Sequence, residues 1–250
     1  MVDVPYRLLR TVMFAAAVLY CSLLLEAAAG FPLDVHHSFL SELGALDQST
    51  SHVARAMDLT TGVLLLVGVL LARSAARGRR ELTGLLVSTA AFALGTLFDA
   101  LSPMDCAPSA SEVCGATEAD GQTGVGLVLH EVTSTIAGLG SIAMGVYAVL
   151  ALRKAGWGGA RARAVAVLAA GVAVTQAWLG LQTGSDVLTG DDLDAPGILQ
   201  RVSVLLVCLM LGSLLPALRQ AYLDEHDVDR GARLGRSPGG VRAGSRAAAR

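Results

Sequence analysis

The sequence predicts an all-α polytopic membrane protein, a six-helix bundle with both termini in the cytoplasm. Three observations predict it. Hydrophobic residues make up 53% of the 250-residue chain and charged residues only 16%, giving a mean hydropathy of +0.57. Apolar runs of about 20 residues recur, the length a helix needs to cross ~30 Å of hydrocarbon. With both termini inside, only Arg55 and Arg201 of the 19 Lys and Arg fall outside. That is a strong positive-inside bias, and six spans close the topology consistently.

Residues 1–10 form a short cytoplasmic start carrying Arg7 and Arg10. The first apolar run, 11–29, has a basic start and ends in Ala27-Ala28-Ala29-Gly30, so it also has the pattern of a cleavable signal. Its length and the spans that follow favour an uncleaved first helix. A polar loop, 31–55, holds His36-His37 and Ser41-Glu42-Leu43-Gly44-Ala45. The second span, 56–72, is short and is expected to begin a few residues earlier. A basic turn of Arg73, Arg77, Arg79 and Arg80 leads to the third span, 82–101. The loop 102–124 is acidic and carries Cys106 and Cys114. The fourth span, 125–152, is followed by Arg153, Lys154, Arg161 and Arg163, and the fifth is 164–183. An acidic loop with Asp186, Asp191, Asp192 and Asp194 precedes the sixth, 198–218. The tail, 219–250, is rich in Arg, Gly, Ala and Ser without apolar periodicity, and is expected to be disordered. Its charge reads as a solvated segment near anionic lipid, and no nucleic-acid site is expected.

Cys106 and Cys114 share one outer loop, where an oxidising exterior permits a disulfide. Free thiols are the alternative; their spacing is not that of a zinc knuckle. Cys21 and Cys208 lie within spans and read as small packing residues. Gln176 and Gln182 are candidates for hydrogen bonds inside the bundle, and Trp178 for an interfacial anchor.

Several spans carry small or polar residues at steps of three and four, which puts each set on one helix face. They are Asp58, Gly62, Leu65 and Ala72 in the second span, Gly84, Ser88, Ala91, Gly95 and Asp99 in the third, and His130, Ser134, Gly138, Ser141 and Gly145 in the fourth. Small faces let membrane helices approach closely. A charge at the centre of a membrane helix costs about 3 kcal/mol, and less near its ends. Glu26, Asp58, Asp99, His130, Glu131 and Arg201 all fall near outer ends. Glu26 and Glu131 either reach headgroups or face inward. Asp99 and His130 continue small-residue faces and so point into the bundle, with Arg201 as a natural counter-ion. Asp58 has a nearby partner in Arg55.

Asp99, Asp105 and His130 are candidate metal ligands, for a metal such as zinc, or acid–base groups. Asp58, Asp99, His130, Glu131 and Arg201 are candidate ligand-binding residues. No H-E-x-x-H or G-x-S-x-G occurs, and His36 and His37 diverge as neighbours on any regular element. Gly156-Trp157-Gly158-Gly159 lacks the Lys-Ser/Thr ending of a phosphate loop. No cofactor is therefore expected.

The Ser41-Glu42-Leu43-Gly44-Ala45 motif, the stretch from Phe98-Asp99 to Pro103-Met104-Asp105, and Leu129-His130-Glu131 together resemble the actinobacterial and archaeal membrane proteins of domain-of-unknown-function family 998. The likeness covers about residues 8 to 220. It implies a six-span bacterial plasma-membrane protein and no established activity. A more distant likeness is to membrane hydrolases that hold zinc with Ser, Asp and several His, which need more intramembrane histidines than His130 alone.

Three functional readings follow. The first is a membrane protein whose outward-facing polar cavity binds a lipid headgroup, a small ligand or a membrane-protein partner, a second copy of the chain included. The second is a metal-dependent hydrolase or other enzyme acting on lipid or envelope substrates. The third is a solute or proton-coupled carrier, which would normally show broken helices and inverted repeats.

Overall fold

A computed structural model describes residues 5–119, 124–156, 159–189 and 195–235. Eight α-helices and one 3-10 turn make up its elements, with no strand among the described residues. They are α1 (Tyr6–Tyr20), α2 (Leu23–Ala28), the turn Leu40–Gly44, α3 (Ser51–Ala72), α4 (Arg80–Leu101), α5 (Glu112–Ala119), α6 (Val125–Lys154), α7 (Gly159–Thr189) and α8 (Pro196–Gly235).

Five helices are long and apolar enough to cross a membrane: α3, α4, α6, the Gly159–Gly184 part of α7 and the Pro196–Gln220 part of α8. Large apolar side chains such as Phe14, Leu70, Val87, Leu139, Val167 and Leu181 stay exposed on the outside of the bundle. In water such a surface would be untenable; in hydrocarbon it is the expected one.

The first apolar run is not one continuous helix. α1 is 15 residues long, about 22 Å at 1.5 Å per residue, and the chain breaks at Cys21 (ψ 70°) before α2 begins. Neither Pro nor Gly stands at the break. Packing sets it: Tyr20 meets Phe92 edge-on at 5.0 Å, while α2 carries Glu26 to a partner on α8.

The core is built by close approach. A Cβ at Gly62 of α3 would stand 2.8 Å from Ala93 O and from Leu97 Cβ of α4. A Cβ at Gly95 of α4 would stand 2.6 Å from Ala137 N of α6, and one at Gly140 of α6 would stand 2.5 Å from Phe92 N of α4. Glycine at these three positions brings backbones to within a distance that alanine forbids, so α4 lies tightly between α3 and α6. Leu9, Met13, Leu65, Phe92, Met144, Val165 and Leu211 fill the shared apolar core.

The helix ends follow local chemistry. Pro196 occupies the first position of α8, where its missing N–H costs nothing. α6 stops where Gly156 takes φ +86°, its N–H bonding Arg153 O at 3.1 Å.

Several boundaries differ from those the sequence suggests. α3 begins at Ser51, ahead of position 56 as its shortness suggested, whereas the loop between α4 and α6 contains the short helix α5. α8 continues to Gly235, so residues 219–235, expected to be disordered, are helical. Met1–Val4, Trp157-Gly158, the acidic loop positions 190–194 and the tail 236–250 lie outside the described residues.

Candidate functional site

The glycine contacts also aim the polar side chains. Asp58 stands one helical turn before Gly62 on the α4-facing side of α3. Asp99 stands one turn after Gly95 on the α6-facing side of α4. On α6 the facing positions are His130, Thr133, Ala137 and Gly140, at steps of three and four.

Asp99 Oδ1 gathers three groups of α6. Thr133 Oγ1 donates at 2.8 Å and Ser134 Oγ at 2.9 Å. His130 Nδ1 lies at 3.0 Å. Asp99 and His130 are both largely buried at the side chain, 17% and 11% exposed. Among the described residues Asp99 Oδ2 accepts no hydrogen bond, and neither oxygen of Asp58 does. Asp58 and Asp99 lie within electrostatic reach of one another, and of Tyr20 at the α1 break. The cluster is therefore acidic, has hydrogen-bond donors on one side only, and retains two carboxylate faces and His130 Nε2 for a further partner.

The expected counter-ion is elsewhere. Arg201 pairs with Glu26, not with Asp99 or His130. Its Nε donates to Glu26 Oε2 at 2.9 Å and its Nη2 donates to Glu26 Oε1. Nη1 donates to the carbonyls of Ser38 at 2.8 Å, Gly197 at 3.0 Å and Val35 at 3.1 Å. Glu26 is 0% exposed and Arg201 6%, so the reading of Glu26 as reaching headgroups or water is overturned. A bidentate pair with every donor nitrogen used is the arrangement in which burying a guanidinium is tolerable. Asp58 and Arg55 form no ion pair either. Arg55 Nε donates to Ala100 O at 2.9 Å.

Of the other candidates, Glu131 is exposed on α6. Asp105 is exposed in the loop between α4 and α6 beside Gly124 and does not join Asp99 and His130. Among the described residues no three His, Cys, Asp or Glu side chains converge as a metal set. His36 and His37 are loop residues whose backbone N–H groups donate to Asp34 Oδ1 at 2.7 and 2.9 Å. Those bonds hold the Asp34 carboxyl below the usual carboxylate range. Trp178 is exposed, as an interfacial anchor would be.

Over the cluster the loops between α2 and α3 and between α4 and α6 form a roof. Cys106 and Cys114 are joined as a disulfide, Cα atoms 6.2 Å apart. Glu42 is buried beneath it. Its Oε1 accepts the Phe39 N–H at 3.1 Å, and its Oε2 accepts both the N–H and the hydroxyl of Ser109. Burial raises the Glu42 carboxyl above its ordinary value, against the lowering effect of those bonds. Leu46 N–H donates to Met104 O at 2.9 Å, and Ala107 N–H donates to Asp47 Oδ1 at 3.0 Å. Gln200 of α8 accepts from the backbone of Leu40 and Ser41. The Ser41–Ala45 motif is thus a clasp joining the α2–α3 loop, the disulfide loop and α8.

Residues 13–215 match the family described as a protein of unknown function, DUF998. The chain belongs to that family. No curated protein and no solved structure matches this DUF998 chain. The matched range takes in the Ser41–Ala45 clasp, the Asp99–His130 cluster and the Glu26–Arg201 pair, so these features lie within the DUF998 region itself.

Sequence reasoning missed Thr133, the Glu26–Arg201 pairing and the role of Glu42. Thr133 has a signal: it completes the 130-133-137-140 row. The other two depend on long-range pairing and leave no local pattern.

Proposed function

We propose that this DUF998 protein is a six-span plasma-membrane protein with both termini in the cytoplasm, and that its outer polar cluster binds a ligand bearing a positive group, such as the amine of a lipid headgroup. In this reading α1 and α2 together make the sixth crossing, and the source is bacterial. One observation carries the ligand chemistry. Asp99 has its only donors on the Oδ1 side, while Oδ2 and Asp58 accept nothing among the described residues. Two neighbouring carboxyl groups with acceptor oxygens left over suit a ligand that brings hydrogen-bond donors and positive charge.

The test is thermal unfolding in uncharged micelles with added phosphatidylethanolamine or phosphatidylcholine of equal chain length. Selective stabilisation by the primary amine, lost in Asp99→Asn, supports the reading. Equal responses to both lipids, or an unchanged response in Asp99→Asn, would count against it. Fusions of alkaline phosphatase at the outer loops and at the C-terminus test the topology.

A second reading rests on the contact between Asp99 and His130 Nδ1. A carboxylate that orients an imidazole leaves Nε2 placed to take up a proton, as in an acid–base enzyme acting on lipid or envelope substrates. Elemental analysis of the purified protein beside His130→Ala separates this reading with zinc from the binding one. A carrier would need Asp58 or Asp99 to shuttle a proton, which flux measurements on Asp58→Asn in liposomes would reveal.

A further inference from the structure

At the end of the bundle opposite the Asp99 cluster, three helices bring arginines together. α1 starts at Tyr6, α7 starts at Gly159, and α8 passes this level at Arg219. Arg219 lies over the Tyr6 ring, 4.2 Å from its centroid. Arg161 donates to Gln220 Oε1 at 3.2 Å, which holds its guanidinium at the same level. Two adjoining clefts open here, about 1050 Å³ and about 490 Å³, and Tyr6, Arg10 and Arg219 line both. Arg7 lines the first and Arg161 the second.

Among the described residues no acidic side chain lines either cleft. Among the described residues none of these four arginines is paired with a carboxylate. The contrast is local, because Lys154 at the same end is bonded to Glu81 at 3.0 Å. Neither α1 nor α7 has an acid in its first turn, so the partial positive charge of both helix starts adds to that of the arginines. The nearest acids along α8, Asp224 and Glu225, begin more than a helical turn beyond Arg219.

The same face of α1 changes character toward the bundle centre. Arg7, Arg10 and Thr11 are followed by Phe14, which lines the first cleft and is 61% exposed. A cationic end above an apolar wall matches a molecule with an anionic head and a hydrocarbon chain. A free phosphate has no use for Phe14, and a soluble acidic peptide would not reach it within hydrocarbon. We infer that this arginine-lined cleft between α1, α7 and α8 is a specific site for an anionic glycerophospholipid, its phosphodiester held by Arg10, Arg161 and Arg219 and one acyl chain lying along Phe14. Guanidinium groups suit the phosphodiester because their planar fork can donate two bonds to one phosphate. Basic pockets between membrane helices commonly take such headgroups.

The experiment is native mass spectrometry of the full chain in a neutral detergent, with phosphatidylglycerol and phosphatidylcholine of equal chain length. Wild-type protein should retain phosphatidylglycerol in preference by about tenfold or more, and the triple variant Arg10→Gln/Arg161→Gln/Arg219→Gln should lose that preference. Arg73→Gln/Arg77→Gln, at a different basic turn, should keep it. Excess inorganic phosphate should not displace the lipid. Equal retention of both lipids by wild type, unchanged preference in the triple variant, or displacement by phosphate would each overturn the inference. The wild-type comparison stands even if the triple variant does not fold, and Arg10→Gln alone should already weaken the preference.

Discussion

Asp99 and His130 meet across the α4–α6 interface with Oδ1 and Nδ1 3.0 Å apart. The same oxygen also takes the hydroxyls of Thr133 and Ser134. Asp99→Asn keeps an acceptor for those hydroxyls, whereas Asp99→Ala removes it. Thr133 can fall back on Leu129 O, 2.9 Å away. Asp99→Ala is therefore expected to cost about 1–3 kcal/mol and Asp99→Asn less. Unfolding of both variants in detergent would show the order, and an Asp99→Ala protein as stable as wild type would mean the cluster does not hold α4 to α6.

Arg201→Met should be among the most damaging single changes, at about 3–5 kcal/mol, because it strands the buried Glu26 carboxylate. It also deprives the carbonyls of Val35, Ser38 and Gly197 of their donor. Glu26→Gln should be milder. The double variant should be more stable than the sum of the two losses predicts, the signature of coupling in a double-mutant cycle. Strict additivity would contradict the pairing.

Gly95→Ala should destabilise by about 1–3 kcal/mol, since its methyl group meets the backbone of Ala137 and Thr133 and not a movable side chain. Gly212→Ala has open space at its Cβ and is expected to be neutral or to gain up to about 1 kcal/mol. The two variants compared in one unfolding assay test whether α4 is wedged as described; similar effects would argue against it.

Glu42 makes the roof pH-sensitive. Its folded carboxyl is raised above the unfolded value of 4.5, so the folded state favours the protonated form. The stability this supplies is complete below that unfolded value and is lost as pH rises through the raised folded value. Glu42→Gln cannot titrate. The stability of the variant relative to wild type should therefore move in the variant's favour as pH increases from acid to neutral. A difference that stays flat with pH would refute the shift.

Thiol counting checks the disulfide loop. Cys21 and Cys208 are free and Cys106 and Cys114 are bridged. Maleimide labelling of unfolded, unreduced protein should modify two cysteines, and four after reduction. Four without reduction would deny the bridge. Cys106→Ser should loosen the loop at a cost of about 2–3 kcal/mol.

Five long apolar helices were legible in the sequence because lipid imposes apolar runs of that length. The Asp99–His130 meeting was legible too, since Gly95 and Asp99 share a face and His130 opens the helix opposite. The α1–α2 break was not: Cys21 and Ser22 carry no breaking signal, and the cause lies in contacts with Phe92 and Arg201. Arg201 illustrates the general limit. A buried cation announces that it needs an anion, but with Glu26, Asp58, Asp99 and Glu131 at similar depth, only three-dimensional packing selects among them. Glu42 hides for a related reason, because an acid in a polar loop looks solvated until Ser109 and Phe39 are folded over it.

Glu26 and Arg201 are 175 residues apart in the chain. A ribosome adding about 5–20 residues per second needs roughly 9–35 s to cover that distance. For that whole interval the acid of α2 is without its partner. Only with α8 in place does Glu26 meet the guanidinium that pairs with it. A chain lacking α8 would leave the Glu26 side chain buried without its partner.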